Sequence, residues 1–125
     1  MKNLEFAAVL PFAQQVQYQK GQVVSKTIAQ SKALSLTLFA FDKGEEISTH
    51  ASSGDALVIV LDGQGQITID DTSYILNAGD SIIMPAQHPH SVFPKGVSMP
   101  PKFAAMVCII KVNAIHFKLS EFLRR

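Results

Sequence analysis

Between residues 34 and 41 the apolar and polar positions alternate, with Leu34, Leu36 and Leu38 separated by Ser35 and Thr37. A period of two is the signature of a strand with one buried face, so a strand is predicted over Ala33–Phe41. The preceding Gln22–Gln30 is β-branched, bounded by Gly21 and by Gln30-Ser31-Lys32, and predicts another. The run Ala56–Leu61 is apolar on both faces, and Asp62-Gly63 behind it is a hairpin signal. Gln64–Asp70 alternates again, with Ile67 and Ile69 on one face and Gln66 and Thr68 on the other. Thr72–Leu76, Ser81–Met84 and Phe103–Val112 complete the strands; Asp42–Glu46, Asp70-Asp71 and Asn77–Asp80 are turns.

The two ends are less regular. Residues 1–20 form a separate N-terminal segment that reads either as an edge strand through Phe12, Val16 and Tyr18 or as a short helix over Ala7–Leu10. In the C-terminal extension, 113–125, Leu119, Phe122 and Leu123 have helical spacing after Phe117 and predict a short helix. Eight to ten short strands with no long helix define an all-β domain over 21–112, an antiparallel sandwich or barrel.

Composition narrows the function classes. The 125 residues are enough for one domain with its own core, and 47% hydrophobic against 17% charged residues excludes a disordered chain. Eleven basic and ten acidic side chains give a formal charge of +1, which offers no electrostatic footprint for nucleic acid or an anionic membrane. The single cysteine, Cys108, lies in an apolar run and reads as a small buried hydrophobe, since a reactive thiol needs an electropositive, open setting. The apolar start is interrupted by Glu5 and ended by Pro11, unlike a signal peptide, and no run approaches the ~20 residues of a membrane span. A soluble, cytoplasmic protein is expected. Val58–Leu61 and Met106–Ile110 are apolar on both faces. The outer face of such strands needs a cover, and a homodimer formed through a sheet is the expectation.

Chemistry concentrates in two turn-and-strand units about thirty residues apart. Gly44–Gly65 carries His50 just before its buried strand, and Gly79–Phe93 carries His88 and His90. Together they predict one site assembled from two such units. In these units the chain resembles the cupin family, whose first motif runs Gly, five residues, His-x-His, three or four residues, Glu, six residues, Gly. Gly44, His50 and Gly63 match it. The second motif runs Gly, five residues, Pro-x-Gly, two residues, His, three residues, Asn, and is matched by Gly79, Pro85 and His90, with Gln87 and Pro94 departing from it.

The resemblance covers roughly residues 20–112 and implies a double-stranded β-helix, the cupin jelly-roll barrel. It also implies four metal ligands, which fall on His50, Ser52, Ala56 and His90. Two of these cannot replace the usual imidazole and carboxylate. The expected site is therefore a divalent transition metal, Fe, Mn, Ni or Zn, held loosely on His50 and His90. His88 is a candidate third ligand, being two residues from His90. Asp55, one residue from the glutamate position, lines the pocket with Ser52, Ala56 and Gln87, while His116 lies beyond the last barrel strand. A small molecule of unassigned identity is the expected partner. The resemblance also allows a metal-dependent dioxygenase or isomerase, or an effector-sensing or structural barrel without metal.

Overall fold

The computed structural model of the protein describes residues 4–42, 44–94 and 105–112, with the backbone alone at residue 50. Among the described residues, eight strands run in the order β1 (Val23–Gln30), β2 (Leu34–Phe41), β3 (Ile47–His50), β4 (Ala56–Ile69), β5 (Thr72–Asn77), β6 (Ser81–Met84), β7 (His90–Pro94) and β8 (Ala105–Val112). All pairings are antiparallel, in the spatial order β1-β2-β8-β4-β7-β3, with β5 and β6 also on β4. The predicted C-terminal helix, His116 and the first residues of the predicted last strand lie outside the described residues. Among the described residues, no helix is long and apolar enough to cross a membrane.

Strand β4 joins the two halves of the barrel. Ala56–Ile59 pairs with β6 on one side and β8 on the other, whereas its second half, from Gln64 and Gly65 to Ile69, pairs with β5 and β7. Asp62-Gly63 was expected to turn the chain, and instead β4 continues through it. Gly63 does adopt a left-handed φ of +76°, and its N–H donates to its neighbour's carboxylate, Asp62 Oδ1, at 2.8 Å. The register against β8 slips between Val60 and Asp62. A left-handed glycine serves a bulge as well as a tight turn, and here it bends one strand from the first sheet half into the second. The β5–β6 turn is pinned to the same place: Gly79 N–H donates to Val60 O at 2.8 Å, and Val60 N–H to Asp80 O at 3.0 Å.

Alternation sorts the side chains into two cores. The barrel interior packs Phe41 of β2, Ala56, Val58, Val60 and Ile67 of β4, and Val107 and Ile109 of β8. The odd parity of β8 thus faces in. Its even positions, Met106 and Cys108, join Ile28, Leu38 and Ala40 in a second cluster on the outer face of the β1-β2-β8 half.

The N-terminal segment covers that outer face. Neither the edge strand nor the Ala7–Leu10 helix forms; a single 3-10 turn spans Phe12–Gln14, and Val16 behind it is only 5% exposed. Leu4 and Ala13 pack on the same cluster. The segment is fastened by Asp42, whose carboxylate accepts the Gly21 N–H and the Tyr18 hydroxyl. That hydrogen bond, with the carboxylate's charge, holds the Tyr18 phenol above its ordinary range. The even positions of the doubly apolar β8 therefore find cover within their own chain.

Burial pushes the Cys108 thiol up to about 11. Native protein is expected to resist a thiol reagent that reacts at once after denaturation. The sign of the linkage follows: the folded state keeps a proton that the unfolded thiol surrenders near pH 9. Stability conferred by the protonated, buried thiol is thus fully present below that pH and declines up to about 11, and urea melts across this range check it.

Candidate functional site: a buried histidine at the barrel mouth

His90 opens β7 and is 1% exposed. Its Nδ1 stands 3.2 Å from the carbonyl oxygen of His88. A carbonyl can only accept, so Nδ1 carries the hydrogen in this contact. The ring lines a cavity of about 220 Å³ with Phe39, Ile47, Met84, Val92, Ile109 and Lys111. All but His90 and Lys111 are apolar. The β3–β7 register sets residue 50 opposite His90, so the two motif histidines do meet at the level of the backbone. The side chain of His50 lies outside the described residues.

His88 is placed elsewhere. Its ring is on the surface, 51% exposed, with Nδ1 2.8 Å from Asp70 Oδ2. The expectation that two residues' separation puts it beside His90 assumes an extended chain, and residues 85–89 form a turn instead. Gln87 takes a left-handed φ of +70°, His88 N–H reaches back to Pro85 O at 3.4 Å, and Asp70 N–H donates to Pro89 O at 2.9 Å. Both bonds to Asp70 tie this turn to the β4–β5 corner and aim His88 outward.

The other positions adjacent to the family's ligand set do structural work. Asp55, 2% exposed, accepts the Ala86 N–H on Oδ1 at 2.8 Å, and its backbone carbonyl accepts Val112 N–H at 2.9 Å. Ser52 turns its hydroxyl to Gly54 O at 2.8 Å, and its own carbonyl accepts the Gln87 N–H at 2.8 Å. The loop before β4 and the loop before β7 are thereby stitched together. Ser52 lines a neighbouring cleft rather than the His90 cavity. Ala56 is wholly buried in the barrel core.

Gln87 itself is exposed, and its backbone explains why the family's motif has glycine there. A left-handed residue with a Cβ is strained by about 1–2 kcal/mol, part of which glycine returns through its freedom in the unfolded chain. Gln87→Gly is expected to stabilise the fold by about 0.5–1 kcal/mol, measurable by chemical denaturation.

One contributor to the site was missed in the sequence. In the register across the first sheet half, Ser35 of β2 stands opposite Lys111 of β8, Lys111 opposite Ala56 of β4, and Ala56 opposite Met84 of β6. A lysine thus stands across the strand pair from the position where the family's motif places its carboxylate. The signal was present as parity: Lys111 continues the inward series Val107, Ile109.

Beyond His90 and the undescribed side chain of residue 50, the remaining candidate positions supply no further metal ligand. Position 56 has no donor atom, the Ser52 hydroxyl is directed at Gly54, and His88 faces Asp70. Among the described residues, no three histidine, cysteine or acidic side chains converge.

The fold and the paired motif loops define a cupin barrel. The cupin domain family matches residues 37–103, more than half of the sequence, and the chain belongs to it. A conserved protein of unknown function from Streptococcus pyogenes is 36% identical, with 89% of this chain and 91% of that one aligned and a TM-score of 0.78. A cupin superfamily protein from Desulfitobacterium hafniense is 32% identical over 90% and 96% of the two chains, at a TM-score of 0.79. A cupin 2 conserved barrel domain protein from Leptotrichia buccalis is 36% identical over 81% of this chain but only 46% of its own, at a TM-score of 0.72. No curated protein matches the chain.

Proposed function

We propose that the barrel is a binding module for a small, largely apolar molecule held in the His90 cavity. The observation that carries this reading is the nearly complete burial of an imidazole whose Nδ1 is held at a backbone carbonyl, in a cavity whose described lining is apolar apart from His90 and Lys111. With Nδ1 held at the His88 carbonyl, the ring of His90 gives the ligand a wall of fixed orientation. At about 220 Å³ the cavity is smaller than the ~300–1,000 Å³ of drug-sized sites, so the ligand is small. The reading assigns a binding role and no reaction.

Ligand-observed NMR with a panel of small aromatic and aliphatic acids and alcohols, on chelator-treated protein, tests it. Hits are expected for the wild type and are expected to vanish in His90→Phe, whose larger ring fills the cavity. A panel without hits, or hits indifferent to His90→Phe, contradicts the reading.

The β3–β7 register favours a second reading, in which His50 and His90 share a loosely held divalent metal. Metal analysis of untagged protein separates the two. One ion per chain, lost in both His50→Ala and His90→Ala, would establish the second reading; metal-free protein that stays so after incubation with Fe, Mn, Ni and Zn salts would dismiss it.

A further inference from the structure

The peptide that holds His90 is itself held from the surface of the barrel. The carbonyl oxygen that meets His90 Nδ1 at 3.2 Å belongs to the His88–Pro89 peptide. Asp70, at the β4–β5 corner, grips the chain on both sides of that peptide. On one side its Oδ2 accepts the His88 Nδ1–H at 2.8 Å. On the other its backbone N–H donates to Pro89 O at 2.9 Å. The ring of Pro89 fixes φ between the two grips, so the peptide plane has little freedom to turn. Two further bonds steady the turn, His88 N–H to Pro85 O at 3.4 Å and Gln87 N–H to Ser52 O at 2.8 Å. Asp70 also takes a left-handed φ of +54°, which aspartate, asparagine and glycine tolerate better than other residues. Its side chain thus serves the corner and the grip together.

We propose that Asp70 and His88 are positioning residues for His90: the surface pair fixes the His88 carbonyl, and that carbonyl fixes the buried ring. Neither residue belongs to the described lining of the His90 cavity, so the pair acts on the ring through the backbone. The two-residue spacing of His88 and His90 acquires a different meaning here. In a strand it would set both rings on one face; the turn instead sends one ring outward as an anchor and brings its carbonyl to the other ring. The pair is half-exposed, so it adds little to the stability of the barrel as a whole. Its effect is local, and its loss is expected to loosen the His90 contact severalfold while the barrel stays intact. The consequence for ligand affinity rests on the binding reading above, whereas the positioning of the ring stands without it.

The test uses the intact, ¹⁵N-labelled chain without ligand. It reads the exchange of the His90 Nδ1 proton with water beside that of amides in the core, such as Val58 and Val107. Asp70→Gly removes the carboxylate and keeps a residue suited to the left-handed φ; it is expected to speed Nδ1 proton exchange severalfold with the core amides unchanged. His88→Ala removes the anchor and keeps the carbonyl, and is expected to do the same. The double variant is expected to go no further than the larger single, because both changes remove one bond. Asp70→Asn retains an acceptor and tolerance of the φ, and is expected to stay near the wild type. Panel hits are expected to weaken in the same order across these variants. Core amides that speed up in step with His90 Nδ1 would reveal a general loosening and overturn the proposal. Unchanged Nδ1 exchange in Asp70→Gly and His88→Ala, or a double variant that multiplies the two single effects, overturns it too. A wild-type panel without hits contradicts the binding reading alone, since the exchange rates decide the positioning in the absence of ligand.

Discussion

Removing residues 1–18 is expected to destabilise the barrel by on the order of 3 kcal/mol and to make it self-associate. The lost contacts are those of Val16, buried among Ile28, Leu38, Ala40, Met106 and Cys108, with Leu4 and Ala13 beside it. Full burial of an aliphatic side chain stabilises by about 1.5–3 kcal/mol, so Val16 alone accounts for a large part of the effect. The truncated chain would present a contiguous apolar sheet face to water, the kind of surface that recruits a partner. Chemical denaturation and light scattering read the two consequences separately. A truncated chain that is monomeric and as stable as the full one would show that the segment lies on the sheet without holding it. Asp42→Ala is expected to give a milder version, because the Gly21 and Tyr18 bonds fasten the segment while its apolar side chains remain.

The second large effect is expected at Asp55. Its buried carboxylate is the acceptor for Ala86 N–H, and that bond ties the turn preceding His90 to the start of β4. Truncation to alanine removes a charge-assisted bond and leaves a partly buried donor without its partner, a combined loss of about 3 kcal/mol. Asp55→Asn keeps an acceptor at the same place and should cost clearly less. The alanine variant is also expected to lose ligand binding in the His90 cavity at temperatures where it remains folded, because the turn that delivers His90 is no longer held. Full binding by a folded Asp55→Ala would mean that β7 alone positions the imidazole.

The barrel was legible because strand alternation and the motif glycines are local signals. Gly44, Gly63 and Gly79 all adopt left-handed φ, and the alternating positions of β2 and β4 face where parity places them. The Asp62-Gly63 reading failed for a physical reason: one left-handed glycine suits a hairpin turn and a bulge alike, and only long-range pairing decides between them. The N-terminal segment was illegible because Val16 is buried by tertiary contact with no periodic pattern of its own. In the site, His90 was found through its motif, whereas the outward turn of His88 depends on Gln87 adopting a glycine-like backbone. Asp55 shows the limit of parity. A residue one step from a ligand position was a plausible donor to the pocket, but it serves the backbone of the opposite loop.

In the proposed binding role, the buried ring of His90 forms part of the wall of a small-molecule site inside the barrel. Long-range ¹H–¹⁵N spectra of the imidazole nitrogens in chelator-treated protein test it most directly. The geometry predicts a protonated Nδ1, and the binding reading predicts that the imidazole resonances move when a ligand from the panel is added. A ring without a proton on Nδ1, or imidazole signals that respond to added metal and to no small molecule, would contradict it.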